Sequence, residues 1–345
     1  MEKIHQQLSL ENNGELVIKQ RKVVSSKINP QQVRVRPINV GICSSDIPRC
    51  FDNKAYFYPL VIGHEFIVSV IEDPSGEFNF GDRCVIFPLI PCLKCDGCLS
   101  KEYNRCSNYS YYGSRTEGGM QSLIDINKWN LVRLPPNIDN ISGCFIEPIA
   151  VCNHASKLVE KNKNILIYGG GFLSQILSQI LIRKNCKVTC IDRNAYKKEF
   201  FSKDVEFHTN SESIEDSSFE FTIECCGGSG VLEECIRLTV PNGKIIQMAN
   251  PSVNLSISSN VLSKFMRKEQ ILIGTWNSSY RPDNPKLCDW NESIQLLATQ
   301  TINVSKLITH KAQLSDSVNL LNDICGRRLN KDSLVNFNKA IVFVS

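Results

Sequence analysis

Two short stretches carry side chains able to hold a metal ion with one position left open. Gly41-Ile42-Cys43-Ser44-Ser45-Asp46 supplies a thiol, and Gly63-His64-Glu65 supplies an imidazole and a carboxylate. Sulfur, nitrogen and oxygen donors together suit a borderline-soft divalent ion such as zinc. Glu147, in Cys144-Phe145-Ile146-Glu147-Pro148, offers a second carboxylate ligand. Asp46 is placed to accept the other ring proton of His64 and so fix its tautomer. Ser45 brings a hydroxyl to the same point, where it can take the proton of a bound alcohol. Taken singly, Cys43 would read as a small buried hydrophobe and His64 as a hydrogen-bonded interior histidine. Their company points to a catalytic zinc held by Cys43, His64 and a carboxylate, either Glu65 or Glu147.

A second metal signal is more compact. Cys92, Cys95 and Cys98 recur at regular two-residue gaps, and Cys106 follows. Four thiolates without a histidine close a tetrahedral shell, so a zinc held there is structural and pins a lobe. An iron–sulfur cluster also uses closely spaced cysteines, but the long last gap and the absence of a proline after Cys106 favour zinc.

The middle of the chain carries a different chemistry. Ile165-Leu166-Ile167-Tyr168 reads as a short buried strand, followed directly by Gly169-Gly170-Gly171-Phe172-Leu173-Ser174. Leu173, Ile176, Leu177, Ile180 and Leu181 then recur at helical spacing, and Val188-Thr189-Cys190-Ile191 leads to Asp192 and Arg193. A strand, a glycine turn, a helix, a second strand and an acid about 20 residues on make a dinucleotide fingerprint. Its glycines admit a pyrophosphate to the helix N-terminus, and Asp192 accepting from the ribose hydroxyls favours NAD over NADP. Gly169, Gly170, Gly171, Phe172, Leu173, Asp192 and Arg193 are the candidate cofactor contacts. Ser174 stands where the third glycine of the fingerprint belongs.

These groups need two kinds of scaffold. Residues 1–40 alternate apolar and polar, and Val61-Ile62, Ile67 to Ile71 and Val85 to Phe87 read as further strands, which predicts a mostly-β first part with its chemistry on loops. Phe219 to Glu224, Lys244 to Met248 and Ile271 to Trp276 read as later strands of a parallel sheet, and Lys339 to Val344 as a return to the first part. The expected organisation is α/β: a zinc-binding catalytic domain at 1–147, a nucleotide-binding doubly wound domain at 148–282, and 283–345 returning to the catalytic domain. Hydrophobic residues at 42%, charged residues at 21% and a net charge of +4 describe an ordinary globular protein. No basic run suggests a nucleic-acid partner and no apolar run suits a membrane, so a cytoplasmic protein is expected. There, 16 cysteines read as thiols or metal ligands rather than disulfides.

With these residues assembled, the chain resembles the zinc-dependent medium-chain alcohol/polyol dehydrogenase family, and within it the sugar-phosphate branch. The resemblance runs from Val33 to Val344. It is carried by Ser45-Asp46-Ile47-Pro48-Arg49, Gly63-His64-Glu65-Phe66, Gly113-Ser114-Arg115-Thr116-Glu117-Gly118-Gly119, Phe145-Ile146-Glu147-Pro148-Ile149 and Ile273-Gly274-Thr275-Trp276. It implies a GroES-like catalytic domain, a Rossmann cofactor domain, two zinc ions per chain (one catalytic, one structural) and NAD(H). It also implies Ser45 as proton relay, Glu147 as the favoured resting carboxylate ligand with Glu65 close enough to exchange, a homodimer or homotetramer built partly on the edge near Ile271 to Trp276, and a galactitol-1-phosphate-like polyol or sugar phosphate as substrate. Arg49, Arg115 and Lys268 are candidate phosphate partners. The competing readings are an unphosphorylated polyol or amino-alcohol dehydrogenase, a biosynthetic sugar reductase, or a zinc-stabilised dinucleotide-binding scaffold. Val68 departs from the family pattern, which has glycine there.

Overall fold

The computed structural model describes residues 4–12, 14–22, 27–251, 253–329 and 336–344. Two compact units are present: Met1–Pro148 together with Ser279–Ser345, and Ile149–Ser278.

The first unit is built on the strand Gln32–Ile42, whose inward residues Val33, Val35 and Val40 are fully buried. Period-two alternation gives this strand one apolar face, and the sheet forms to cover it. In sheet order the strands are His310–Gln313, Ala340–Phe343, Gln32–Ile42, Glu65–Glu72, Arg83–Ile86 and Leu131–Arg133, with Ile124–Asn127 also paired to Gln32–Ile42. All pairs are antiparallel except His310–Gln313 with Ala340–Phe343. The register is the functional point: Gly41 lies opposite Glu65 on one side and opposite Ile341 on the other. Val68, on the central strand Glu65–Glu72, is fully buried in the same core as Phe66 and Val70, so its departure from glycine adds packing away from the site.

Val61-Ile62 corrects the sequence reading. These residues are buried but do not join a strand. Their carbonyls accept from the Gly118 and Met120 N–H groups of a crossing turn, and Gly63 (φ +97°) then breaks the extended course before His64.

The second unit is a six-stranded all-parallel sheet in the order Val205–His208, Lys187–Ile191, Asn164–Tyr168, Phe219–Glu224, Thr239–Gln247, Ile271–Gly274. Numbered along the chain this is 3-2-1-4-5-6, the Rossmann order, with its switch point between Asn164–Tyr168 and Phe219–Glu224. The helix Phe172–Arg183 buries Phe172, Ile176, Leu177, Ile180 and Leu181, whereas Leu173 is half-buried. Phe172 thus takes the inward place that spacing assigns to Leu173.

The turn Gly113–Gly118 lies directly on Gly63. A β-carbon on Gly118 would come 2.3 Å from the Gly63 carbonyl oxygen and 2.6 Å from the Gly113 α-carbon, both backbone atoms that cannot swing aside. We expect Gly118→Ala to cost about 2 kcal/mol or more, the scale of core overpacking, read by chemical denaturation. An unchanged midpoint would show that the turn can lift off Gly63.

Candidate functional site

The register of Gly41 opposite Glu65 brings Cys43, just past one strand, beside His64 and Glu65 at the start of its neighbour. One ligand atom from each of Cys43, His64 and Glu65 lies within 4.8 Å of the others. Zinc bonds of about 2.0–2.3 Å need only small side-chain rotations to close that gap. His64 and Glu65 are almost fully buried. Donors of three different elements, two of them buried and Cys43 half-buried, suit a cation better than one another.

Asp46 is fully buried behind this group. Its Oδ2 accepts from the Cys43 N–H at 3.0 Å, and its Oδ1 accepts from Arg49 Nη1 at 3.0 Å. Oδ1 also lies 3.4 Å from His64 Nδ1, an ion-pair distance without hydrogen-bond alignment. That contact turns Nδ1 toward Asp46 and leaves Nε2 as the nitrogen for a metal. Burial works against charge on Asp46, but His64, Arg49 and the Cys43 N–H outweigh it and lower the carboxyl pKa. Burial likewise opposes the charged imidazole, yet Asp46 and Cys43 raise the His64 pKa well above its ordinary value. Ser45 is exposed at the head of the short helix Asp46–Phe51, and its Oγ accepts from Arg49 Nη1 at 3.1 Å, so its own proton stays free to donate.

The two candidate carboxylates have different company. Glu65 is gripped by Lys339, whose Nζ stands 2.7 Å from Oε1 and 2.6 Å from Oε2. Burial lowers the Lys339 pKa less than the charge of Glu65 raises it, so the ammonium is kept. Gly41 makes the contact possible: a β-carbon there would sit 2.2 Å from Glu65 Oε2. Glu147 is not in the set of three ligand atoms. It lies in the first turn of the helix Ile146–Ser156 and its Oε1 accepts from the Tyr111 hydroxyl at 3.0 Å. Burial, with Glu65 adding to it and His64 opposing, pushes the Glu147 carboxyl up to about 7.

Lys339 and Tyr111 are the two site residues that motif reading misses. A signal for Lys339 existed, since a lysine opening the apolar strand Ala340–Phe343 needs a buried partner. Tyr111 carried none. Of the three candidate phosphate partners, Lys268 is excluded by its surroundings: its Nζ donates to the carbonyls of Ile236, Arg237 and Thr239 at 2.9–3.3 Å, within the second unit's own backbone. Arg49 has Nη1 engaged by Ser45 and Asp46.

Cys92, Cys95, Cys98 and Cys106 converge to a second set. The sulfurs of Cys95 and Cys98 are 3.6 Å apart and those of Cys92 and Cys98 4.0 Å apart. A tetrahedral shell with zinc–sulfur bonds near 2.3 Å requires about 3.8 Å. The Cys98 and Ser107 N–H groups aim at the Cys95 sulfur and lower its pKa to about 5, favouring the thiolate that a metal needs. Tyr103, between Cys98 and Cys106, packs edge-on against Trp129 at 5.0 Å, which ties this lobe to the body of its unit.

In the second unit, the Gly170 N–H donates to Asp192 Oδ2 at 2.7 Å, so the turn and the acid are joined. Gly169 (φ +101°) needs the left-handed region, and a β-carbon there would press on Cys226. Beside Gly171 there is open space within 4 Å, and this residue heads the Phe172–Arg183 helix with no side-chain cap. An uncapped helix N-terminus with room in front of it fits a pyrophosphate. Ser174 is buried without clash, its hydroxyl beside the Cys225 thiol. Arg193 is exposed next to Asp192.

We expect a strong chelator to red-shift tryptophan emission through Trp129 and to lower Tm as the four-cysteine lobe loses its ion. An unchanged spectrum and Tm after confirmed metal loss would mean that the lobe stands without it.

Residues 29–136 match the alcohol dehydrogenase GroES-like domain. The chain is 28% identical over 333 residues to galactitol 1-phosphate 5-dehydrogenase of Escherichia coli (strain K12), covering 92% of this chain and 96% of that one. It is 26% identical over 310 residues to a sorbitol dehydrogenase of Halalkalibacterium halodurans, covering 83% and 86%. The crystal structure of galactitol-1-phosphate dehydrogenase from Escherichia coli superposes with a TM-score of 0.87 at 26% identity, covering 98% of this chain and 100% of that one. With a match to the GroES-like domain, a parallel sheet in Rossmann order and two candidate metal-ligand sets along one chain, the protein is similar to zinc-dependent medium-chain polyol dehydrogenases.

Proposed function

We propose that the protein transfers a hydride between NAD(H) and the secondary alcohol or ketone of a polyol or polyol phosphate, using a catalytic zinc. The convergence of Cys43, His64 and Glu65 within 4.8 Å, with Asp46 behind the imidazole, carries this reading. Bound there, zinc supplies a Lewis acid that lowers the pKa of an alcohol. The dinucleotide supplies the hydride acceptor or donor.

The chain's own residues do the rest. Cys43, His64 and Glu65 hold the ion, and Glu147 stands as the alternative carboxylate, oriented by Tyr111. Asp46 fixes the His64 ring. Ser45, exposed and steadied by Arg49, accepts the proton released by the substrate hydroxyl and passes it to solvent. In the second unit, Gly169–Gly171 and the helix behind them receive the pyrophosphate. Asp192 accepts from the ribose hydroxyls and repels a 2′-phosphate, which favours NAD.

Three wider features support the same reading. None of the 16 cysteines is joined in a disulfide, which suits a reducing cytoplasm. Among the described residues no helix is long and apolar enough to cross a membrane. The edge strand Ile271–Gly274 exposes Ile271 and Leu272, beside exposed Leu262, Met266 and Trp276, and such an apolar sheet edge fits a homodimer or homotetramer. Sedimentation would test this last point; a monomer at micromolar concentration would remove it.

We expect the wild type to carry two zincs per chain and to form NADH from polyols or their phosphates, with NAD preferred to NADP. Cys43→Ser should lower turnover by more than about 100-fold, beyond what loss of an outer-shell metal partner costs, and reduce zinc to one per chain, while NAD still raises Tm. Unchanged turnover in Cys43→Ser would defeat the catalytic-zinc reading.

A further inference from the structure

Among the described residues the Arg115 guanidinium has no hydrogen-bond or ion-pair partner, yet it is held in place. Its Cζ lies 4.3 Å from the Tyr56 ring centroid and 4.6 Å from that of Tyr109. Cation–π contact holds the guanidinium without using its N–H groups, a rigid fork of donors left without acceptors among the described residues. A fork of that geometry matches two oxygens of a phosphate. Glu117, two residues on, is the nearest acid in sequence and does not pair with it among the described residues. Arg115 is exposed and unpaired among the described residues, yet packed against two rings, of which Tyr56 is itself 62% exposed.

The backbone ties this cation to the metal-ligand set. Arg115 lies in the Gly113–Gly118 turn that rests on Gly63, and the Gly119 N–H donates to the Gly63 carbonyl at 2.9 Å, immediately before His64. The Arg115 N–H donates to the Tyr111 carbonyl at 2.9 Å, and the Tyr111 hydroxyl donates to Glu147. The aromatic series continues inward: the Tyr109 and Tyr111 ring centroids are 6.3 Å apart, and those of Tyr111 and His64 5.8 Å. The guanidinium therefore stands at the outer end of an aromatic wall whose inner end is the metal-ligating imidazole. A substrate held at the metal by one hydroxyl carries its terminal group away from it along such a wall.

We propose that Arg115, held by Tyr56 and Tyr109, is a specificity-determining residue that receives the phosphate of a polyol phosphate whose secondary alcohol reacts at the Cys43–His64 site. The proposal rests on the dehydrogenase reading above and narrows its substrate class to phosphate esters. Lys268 does not compete for this role, because its ammonium donates to backbone carbonyls, and Arg49 already has Nη1 engaged by Ser45 and Asp46.

The test compares the holoenzyme with Arg115→Gln on one polyol and on its terminal phosphate ester. NADH formation gives kcat and KM, and calorimetric titration with the phosphate ester gives binding without turnover. We expect the ratio of kcat/KM for the ester to that for the polyol to fall at least 30-fold in Arg115→Gln, mainly through KM. Calorimetric affinity for the ester should fall by a similar factor, Arg115→Lys should recover part of it, and Tyr109→Leu should lose less than Arg115→Gln. An unchanged ratio, an equal loss on both substrates, or no binding of the ester to the wild type would overturn the assignment. A wild type that oxidises neither compound would instead defeat the dehydrogenase reading. Calorimetry would then still decide Arg115: affinity lost in Arg115→Gln upholds the phosphate site, and affinity retained overturns it.

Discussion

Charges are expensive inside a protein, and the first unit gathers Asp46, His64, Glu65, Glu147 and Lys339 in one buried neighbourhood. Each depends on close neighbours for its stability. Lys339 offsets Glu65, Arg49 and His64 offset Asp46, and the Tyr111 hydroxyl serves Glu147. Removing one member of such a buried pair costs about 3–5 kcal/mol, because the survivor is left alone in a poor solvent for ions. The rest of the fold answers to this constraint. Three neighbouring strands, Ala340–Phe343, Gln32–Ile42 and Glu65–Glu72, hold the charges in register, and Gly41, with no side chain, leaves the gap across which Lys339 reaches Glu65.

The local parts of this arrangement were readable from the amino-acid order. Ligands that follow one another at short spacing, such as Cys92, Cys95 and Cys98, declare themselves because one loop must close on one ion. The glycine turn and Asp192 were legible for a similar reason, since a single βαβ unit carries both. The parallel sheet followed from its apolar runs, and helical periodicity misplaced only which of Phe172 and Leu173 faces inward.

What was not legible depends on contacts between remote segments. Lys339 is 274 positions from Glu65, and no local pattern links them. Tyr111 gives no sign in sequence that it will meet Glu147. Lys268 read as a free cation because the carbonyls that surround it belong to another helix and its following strand. Val61-Ile62 read as a strand because both are β-branched and buried, although the chain there serves a crossing turn through single hydrogen bonds. The two departures from family pattern, Val68 and Ser174, proved to be packing residues: one sits in the core of the barrel-like sheet, the other under the cofactor turn beside a thiol.

The strand that bears Lys339 comes after the whole of the Ile149–Ser278 unit in chain order. During synthesis the segment carrying Cys43, His64 and Glu65 therefore leaves the ribosome long before its counter-ion does, and the parallel sheet can complete itself in the interval. Until Lys339 arrives, Glu65 lacks its ammonium partner and the open flank of Gln32–Ile42 lacks its neighbour strand. The ion pair that offsets Glu65 is thus completed only after the intervening unit has been synthesised.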